Sequence, residues 1–170
     1  RFVRCPAAKP VTRELTGGEI QRLKTALASD AERNSMICDL CVRLVDNTGR
    51  HVICLSDRLA HLQQLLALFR AATTHSVEAG LYVGGQKRKD REHAETCCRV
   101  LFGTFAMAQE GLDLPKLDTL ILASPASDIT QAVGRILRPC STKQRPLIVD
   151  LQDDGCAQFS RQNLTRRRFY

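Results

Sequence analysis

The residues best placed by type and spacing to do chemistry are Gln131-Ala-Val-Gly134-Arg135-Ile-Leu-Arg138. Three positions apart on a helix, Arg135 and Arg138 project their guanidinium groups from one face, and Gly134 leaves room for a neighbouring backbone. Two planar forks on a rigid helix suit a triphosphate, where fixed donors stabilise charge as it develops. A solvated basic face is the other reading of the same spacing.

A second cluster precedes it. An apolar run ends at Thr104, a polar loop follows with Glu110-Gly111-Leu-Asp113-Leu-Pro115, and another apolar run begins near Leu117. Gly111 permits a positive φ or a close backbone approach, Asp113 offers a carboxylate to hydroxyls or to an arginine, and Pro115 stiffens the exit. An ordinary connection in which Asp113 caps a turn fits equally. Ser56, Asp57 and Arg58 close an earlier apolar run. Gly84 and Gly85 introduce Lys87, Arg88, Lys89 and Arg91, which either track phosphates or begin a solvated helix.

These residues need elements to hold them. Residues 51–55, 79–83, 100–105, 117–123 and 146–151 are short, branched, apolar runs that read as buried strands. Helical spacing runs through Leu59, Leu62, Leu65, Leu66 and Phe69, and again over 87–98 and 128–137. Such alternation predicts an α/β fold, a parallel sheet with helices on both faces, and ligands at the carboxyl ends of its strands. Residues 1–15 read as an irregular lead-in with one short strand. From Thr16, apolar positions from Ile20 to Leu44 predict two helices, with Asp30 able to cap the second. The expected division is a helical N-terminal extension over 1–45 packing on a core over 46–170.

Bulk properties narrow the class. The chain has 170 residues and a formal charge of +7, which suits one domain and a polyanionic partner. No apolar run approaches the roughly 18 residues of a membrane span, so no membrane partner and an intracellular location are expected. The Arg1 start is read as a piece of a longer polypeptide. Eight cysteines at irregular spacing are expected to be free thiols. Cys38 and Cys41 share a helix face and read as core, and adjacent Cys97 and Cys98 point in different directions, so no metal site is expected. The four histidines are assigned to surface or packing, none with a visible serine or cysteine partner.

Residues 50–151 resemble the C-terminal RecA-like domain of superfamily two helicases. The strand ending in Ser56-Asp57-Arg58 matches motif four, Thr104 through Asp113 and Pro115 matches motif five, and Gln131 to Arg138 is a full QxxGRxxR of motif six. The run from Tyr82 to Arg91, AMAQEGLD, and GRILRP followed by PLIVDLQDD are similar to viral and phage helicases of the translocase type, including poxvirus-like transcript-release helicases and relatives in other large DNA viruses. The resemblance implies a RecA-like sheet and an ATP-dependent helicase acting on DNA or RNA. Arg135 and Arg138 would meet the phosphates of ATP, one as an arginine finger, with Gln131 positioning that helix end. Gly111, Asp113 and Gly134 would lie at the nucleotide, and Ser56, Asp57, Arg58, Gly84, Gly85, Lys87 and Thr104 would line the path of the nucleic-acid strand. Arg166 to Arg168, near Phe159, Phe169 and Tyr170, would stack on bases or dock a terminal helix.

A phosphate-cradling GxxxxGK[ST] loop and an acidic box for magnesium are absent from these residues. ATP with Mg²⁺ is therefore expected to be held mainly by an N-terminal RecA-like domain of the same polypeptide, and this piece is not expected to hydrolyse ATP alone. The alternatives are a nucleic-acid-binding module without motor activity and, more distantly, an unrelated nucleotide-binding α/β enzyme.

Overall fold

Val52-Ile-Cys-Leu-Ser56 is buried at every position, as a strand covered on both faces must be. It is the central β2 (Val52–Ser56) in a computed structural model that describes residues 2–5, 13–73, 77–110, 114–141, 143–153 and 156–169. Around it lie β1 (Phe2–Cys5), β3 (Ala79–Tyr82), β4 (Val100–Thr104), β5 (Thr119–Leu122) and β6 (Leu147–Asp153). They form a six-stranded sheet in the order β1-β6-β5-β2-β4-β3, and every pairing is parallel.

Side chains alternate across this sheet and divide the core in two. Val52, Cys54, Val100, Phe102, Ile121, Val149 and Leu151 face α2 (Ala31–Asp46) and α3 (Leu59–Ala72). Ile53, Leu55, Leu101, Leu120 and Leu122 face α4 (Arg88–Thr96), α5 (Phe105–Glu110) and α6 (Thr130–Ile136). The expected parallel sheet with helices on both faces is the fold observed.

Several boundaries move for identifiable reasons. Thr16 and Glu19 form a reciprocal capping box that starts α1 (Gly17–Ser29), and Asp30 caps α2 through the Arg33 N–H, as anticipated. The polar loop expected after Thr104 begins instead with α5, one residue past the strand. Its Met107 and Ala108 are buried, and the Thr104 hydroxyl accepts from Met107 N at 3.4 Å. The expected helix over 128–137 is shorter, ending at Ile136. Pro139 disfavours helical geometry at Arg138, so Arg138 sits just past the end, its N–H still reaching Arg135 O at 3.3 Å.

Residues 1–45 do more than pack on a finished core. β1 is a strand of the same sheet, and α2 buries Ile37, Cys38, Cys41 and Val45 within it. The expected division between residues 45 and 46 falls inside α2.

Two arginines fix the ends of the chain to one strand. Arg33 of α2 donates to both oxygens of Asp153 at 3.0 Å and to the Ala123 carbonyl at 2.7 Å. Arg166 of α7 (Ala157–Phe169) binds Asp150 through Nε and Nη2, at 2.8 Å for the shortest contact. Its remaining donors go to Asn163 Oδ1 and Ala126 O. Arg166, Asp150 and Asp153 are all almost inaccessible. Burial pushes the Asp153 carboxyl above its ordinary pKa, and the adjacent Arg33 guanidinium opposes the rise. Arg166 therefore docks the terminal helix, which decides between the two readings of the arginine-rich tail at this residue.

Removing one partner of such a pair strands a buried charge. Arg166→Ala should lower the unfolding free energy by about 3–5 kcal/mol in denaturant titrations, and Arg166→Met combined with Asp150→Leu should cost less. A loss below about 1 kcal/mol for the single variant, as for an exposed pair, would show that the clamp contributes little.

Candidate functional site

All strands run parallel, so their carboxyl ends share one edge of the sheet. Ser56 and Thr104 are register partners there, and Tyr82, opposite Gly103, leads directly to the glycine pair. Motifs from separate parts of the chain thus meet, as the sequence reading required.

Motif six presents two faces. Ala132, Val133 and Ile136 are buried against the sheet, while Gln131, Gly134 and Arg138 are exposed and Arg135 is half-buried. No atom of the described residues would come within 4 Å of a Cβ at Gly134. Among the described residues nothing makes the close backbone approach expected there, and the glycine is exposed. Arg135 donates to the Gln109 carbonyl at 2.9 Å. That contact holds the guanidinium at the end of α5, immediately before residues 111–113. Gly111 and Asp113 lie outside the described residues.

The 83–86 turn is built from its own side chain. Gln86 accepts from Val83 N at 2.9 Å and donates to Leu81 O at 3.0 Å. Gly85 adopts φ +76°, a conformation that disfavours any side chain. Lys87, Arg88 and Lys89 follow on the exposed start of α4, where unpaired N–H groups add positive potential. Beneath them Tyr82 gives its hydroxyl to Glu95 at 3.0 Å. Burial, followed by that carboxylate, pushes the phenol up to about 12.

Motif four departs from expectation. Ser56 is completely buried, and its Oγ lies 2.9 Å from His61 Nδ1 while accepting from Arg58 N at 3.3 Å. His61 Nε2 lies 2.9 Å from Asn34 Oδ1, and Asn34 donates to the Ala28 carbonyl. The hydroxyl assigned to a nucleic-acid phosphate is thus occupied inside the protein, and His61 has the serine partner that sequence did not reveal. Asp57 and Arg58 are also engaged. Lys24 binds Asp57 at 2.8 Å, and Arg58 donates to Gln21 O at 2.9 Å and to its amide oxygen at 3.0 Å. Gln21 and Lys24 sit on α1 and Asn34 on α2, more than twenty residues upstream of the side chains they meet, where no local spacing could signal them. Thr104 is half-buried with its hydroxyl turned to α5.

Neither Ser56 nor Asn34 supplies a charge to stabilise imidazolium. Burial first, then the Arg33 charge, holds the His61 pKa down to about 4 from 6.5. Between those values the unfolded chain binds a proton that the folded protein does not, so stability is complete above pH 6.5 and is lost as pH falls towards 4. Denaturation curves across this window should show about 3 kcal/mol more acid-linked loss in the natural sequence than in His61→Gln. Equal slopes would mean that His61 ionises normally in the folded protein.

No family model matches the chain. Among curated proteins it is 31% identical over 138 residues to "Putative ATP-dependent RNA helicase L396" of Acanthamoeba polyphaga mimivirus, covering 81% of this chain and 26% of that protein. It is 42% identical over 59 residues to "Putative helicase 161L" of Invertebrate iridescent virus 6, covering 34% of this chain and 13% of that one. The chain thus spans about a quarter or less of these relatives. Among solved structures T4 UvsW superposes with a TM-score of 0.73 at 17% identity, covering 99% of this chain and 38% of that one. In fold the chain is RecA-like, as is the part of T4 UvsW it superposes on, and in sequence it is similar to viral proteins named as putative helicases.

Proposed function

We propose that this chain is the second motor domain of an ATP-dependent helicase or translocase acting on nucleic acid. The observation that carries this reading is the outward face of α6, where Gln131, Gly134 and half-buried Arg135 lie over an underside of Ala132, Val133 and Ile136, with exposed Arg138 just past the helix end. Such a surface fits an anionic ligand shared with a facing domain. The mimivirus relative's name supplies the ATP dependence and RNA that the charge pattern alone does not specify.

ATP with Mg²⁺ fits this chain only in part. The donors on α6 suit its phosphates, whereas a cradling loop and a magnesium-binding acidic pair are missing from the 170 residues. When bound, ATP supplies the free energy for domain closure and reopening. The task of this chain is to bring Arg135 and Arg138 to the phosphates, with Gln131 beside them at the helix start. The Gln109 carbonyl holds Arg135 so that little reorganisation is needed at closure.

Strand contacts fall on the other exposed groups at the same edge. The 84–85 backbone and Lys87 face outward, and Lys89 extends the positive surface. These groups recognise phosphates rather than base edges, so they give position without sequence preference. Ser56, Asp57 and Arg58 act instead as the floor of that edge, Ser56 held by His61 and the other two by α1.

In the polypeptide that carries its phosphate-binding domain, Arg135→Ala and Arg138→Ala should each reduce nucleic-acid-stimulated ATP hydrolysis by about 10³-fold or more, with nucleic-acid binding retained. Binding that survives together with an absence of turnover in the natural sequence would identify a binding module without motor activity. Replacing both Lys87 and Lys89 by alanine should weaken binding of all sequences alike and reduce the salt dependence, the log–log slope falling by about 1–2. An unchanged slope in fluorescence titrations would remove these lysines from the phosphate path.

A further inference from the structure

At the opposite, amino edge of the sheet, three ligating side chains of different chemistry converge. Oxygen of Glu78, imidazole nitrogen of His93 and sulfur of Cys98 all lie within 4.8 Å of one another. We infer that Glu78, His93 and Cys98 form a binding site for a zinc-type divalent cation, bracing α4 against the edge strand β3.

Backbone structure brings the three together. The Glu78 carbonyl accepts from Arg99 N at 2.9 Å and Val100 N at 3.4 Å, which sets Glu78 beside the chain leaving Cys98. His93 lies in the last turn of α4, and Cys97 N closes on its carbonyl at 2.9 Å. Cys98 turns inward and is 3% exposed, whereas Cys97 beside it is exposed. A Cβ on Gly80 of β3 would stand 3.0 Å from the Cys98 sulfur, so the missing side chain makes space for that atom. Glu78 and His93 are exposed and leave an open approach from solvent.

Donor chemistry selects the ion class. Thiolate, imidazole and carboxylate bind at about 2.0–2.3 Å in tetrahedral zinc sites, with water filling a fourth position. His93 Nε2 and Glu78 Oε2 already stand 3.0 Å apart, so a small outward movement would accept an ion between them. Burial first, then the Glu78 carboxylate and Cys97, pushes the Cys98 thiol up, while Lys116 and Arg70 oppose the rise. A divalent cation releases the thiol proton and cancels the charges of the two anionic ligands. Sequence spacing hid the site because its residues are spread from 78 to 98, and because Cys97 and Cys98 do point differently, only one of them towards His93.

The test titrates the reduced 170-residue chain with Zn²⁺ by calorimetry and with Co²⁺ by absorbance. One zinc should bind per chain with release of a proton, and cobalt should give a thiolate charge-transfer band. Cys98→Ser should abolish the band, while His93→Gln and Glu78→Gln should weaken zinc binding by at least about 10-fold. Cys97→Ser should leave binding unchanged, and saturating zinc should raise the midpoint of thermal unfolding. His93 and Glu78 are surface positions, so those variants report even where replacing the buried sulfur harms folding. Undiminished binding in His93→Gln and Glu78→Gln, dependence on Cys97, or no binding at millimolar zinc would each overturn the assignment.

Discussion

The organisation of this domain rests on β6 carrying carboxylates to both of its faces. Asp150 and Asp153 are three apart on a strand, which sends them to opposite sides of the sheet. Arg166 meets the first from α7, and Arg33 meets the second from α2. Isolated ions so deeply buried would be prohibitive. Bidentate geometry and additional carbonyl acceptors make each arrangement tolerable, and breaking either leaves the other ion exposed to the full desolvation cost. The net contribution of such pairs to stability is modest, but their directionality is strict. A buried fork admits one orientation of its helix, where an apolar contact would admit several.

That strictness reaches the candidate site through α2. Arg33 also donates to Ala123 O, at the end of β5, so the helix is registered against two strand ends at once. Asn34 is the next residue, and it meets His61, which in turn meets Ser56. The N-terminal elements therefore complete the interior beneath motif four. α1 then lies across the turn, with Gln21 on Arg58 and Lys24 on Asp57. Polar side chains that look available in the sequence are committed to holding two helices on the sheet.

What was legible in the sequence follows from the range of each interaction. Fully buried parallel strands must be apolar on both faces, so β2, β4 and β5 stood out as runs, and α3 as a helical repeat of leucines. α5 was hidden because Phe105 and Met107 continue an apolar strand without a break. α6, read over 128–137, starts two residues later at Thr130 and ends one residue earlier at Ile136, close to the Pro139 that disfavours helical geometry before it. The pairings of Arg33 with Asp153 and of Ser56 with Asn34 through His61 span large sequence separations, and nothing local distinguishes an arginine destined for the interior. The motif residues were legible for the converse reason, since glycines and arginines at helical spacing leave a local signature. Of these, Gly111 and Asp113 lie outside the described residues, as do His75 and Tyr170.

The arginines of this chain consequently serve two different ends, and burial separates them. Arg33 and Arg166 are enclosed, each with its guanidinium filled by carboxylate and carbonyl oxygens of the same chain. In that setting an arginine works as a rigid connector, and its charge is largely compensated within the fold. Arg138 is exposed, and half-buried Arg135 donates to the Gln109 carbonyl, so this pair stays at the surface of the domain. A connector needs low dielectric to be stiff, whereas a group that answers a mobile anion must remain reachable and be positioned beforehand. Anchoring the connectors of α2 and α7 to β6, and carrying the reachable pair at the end of α6, lets the domain hold its shape while the second pair meets its ligand.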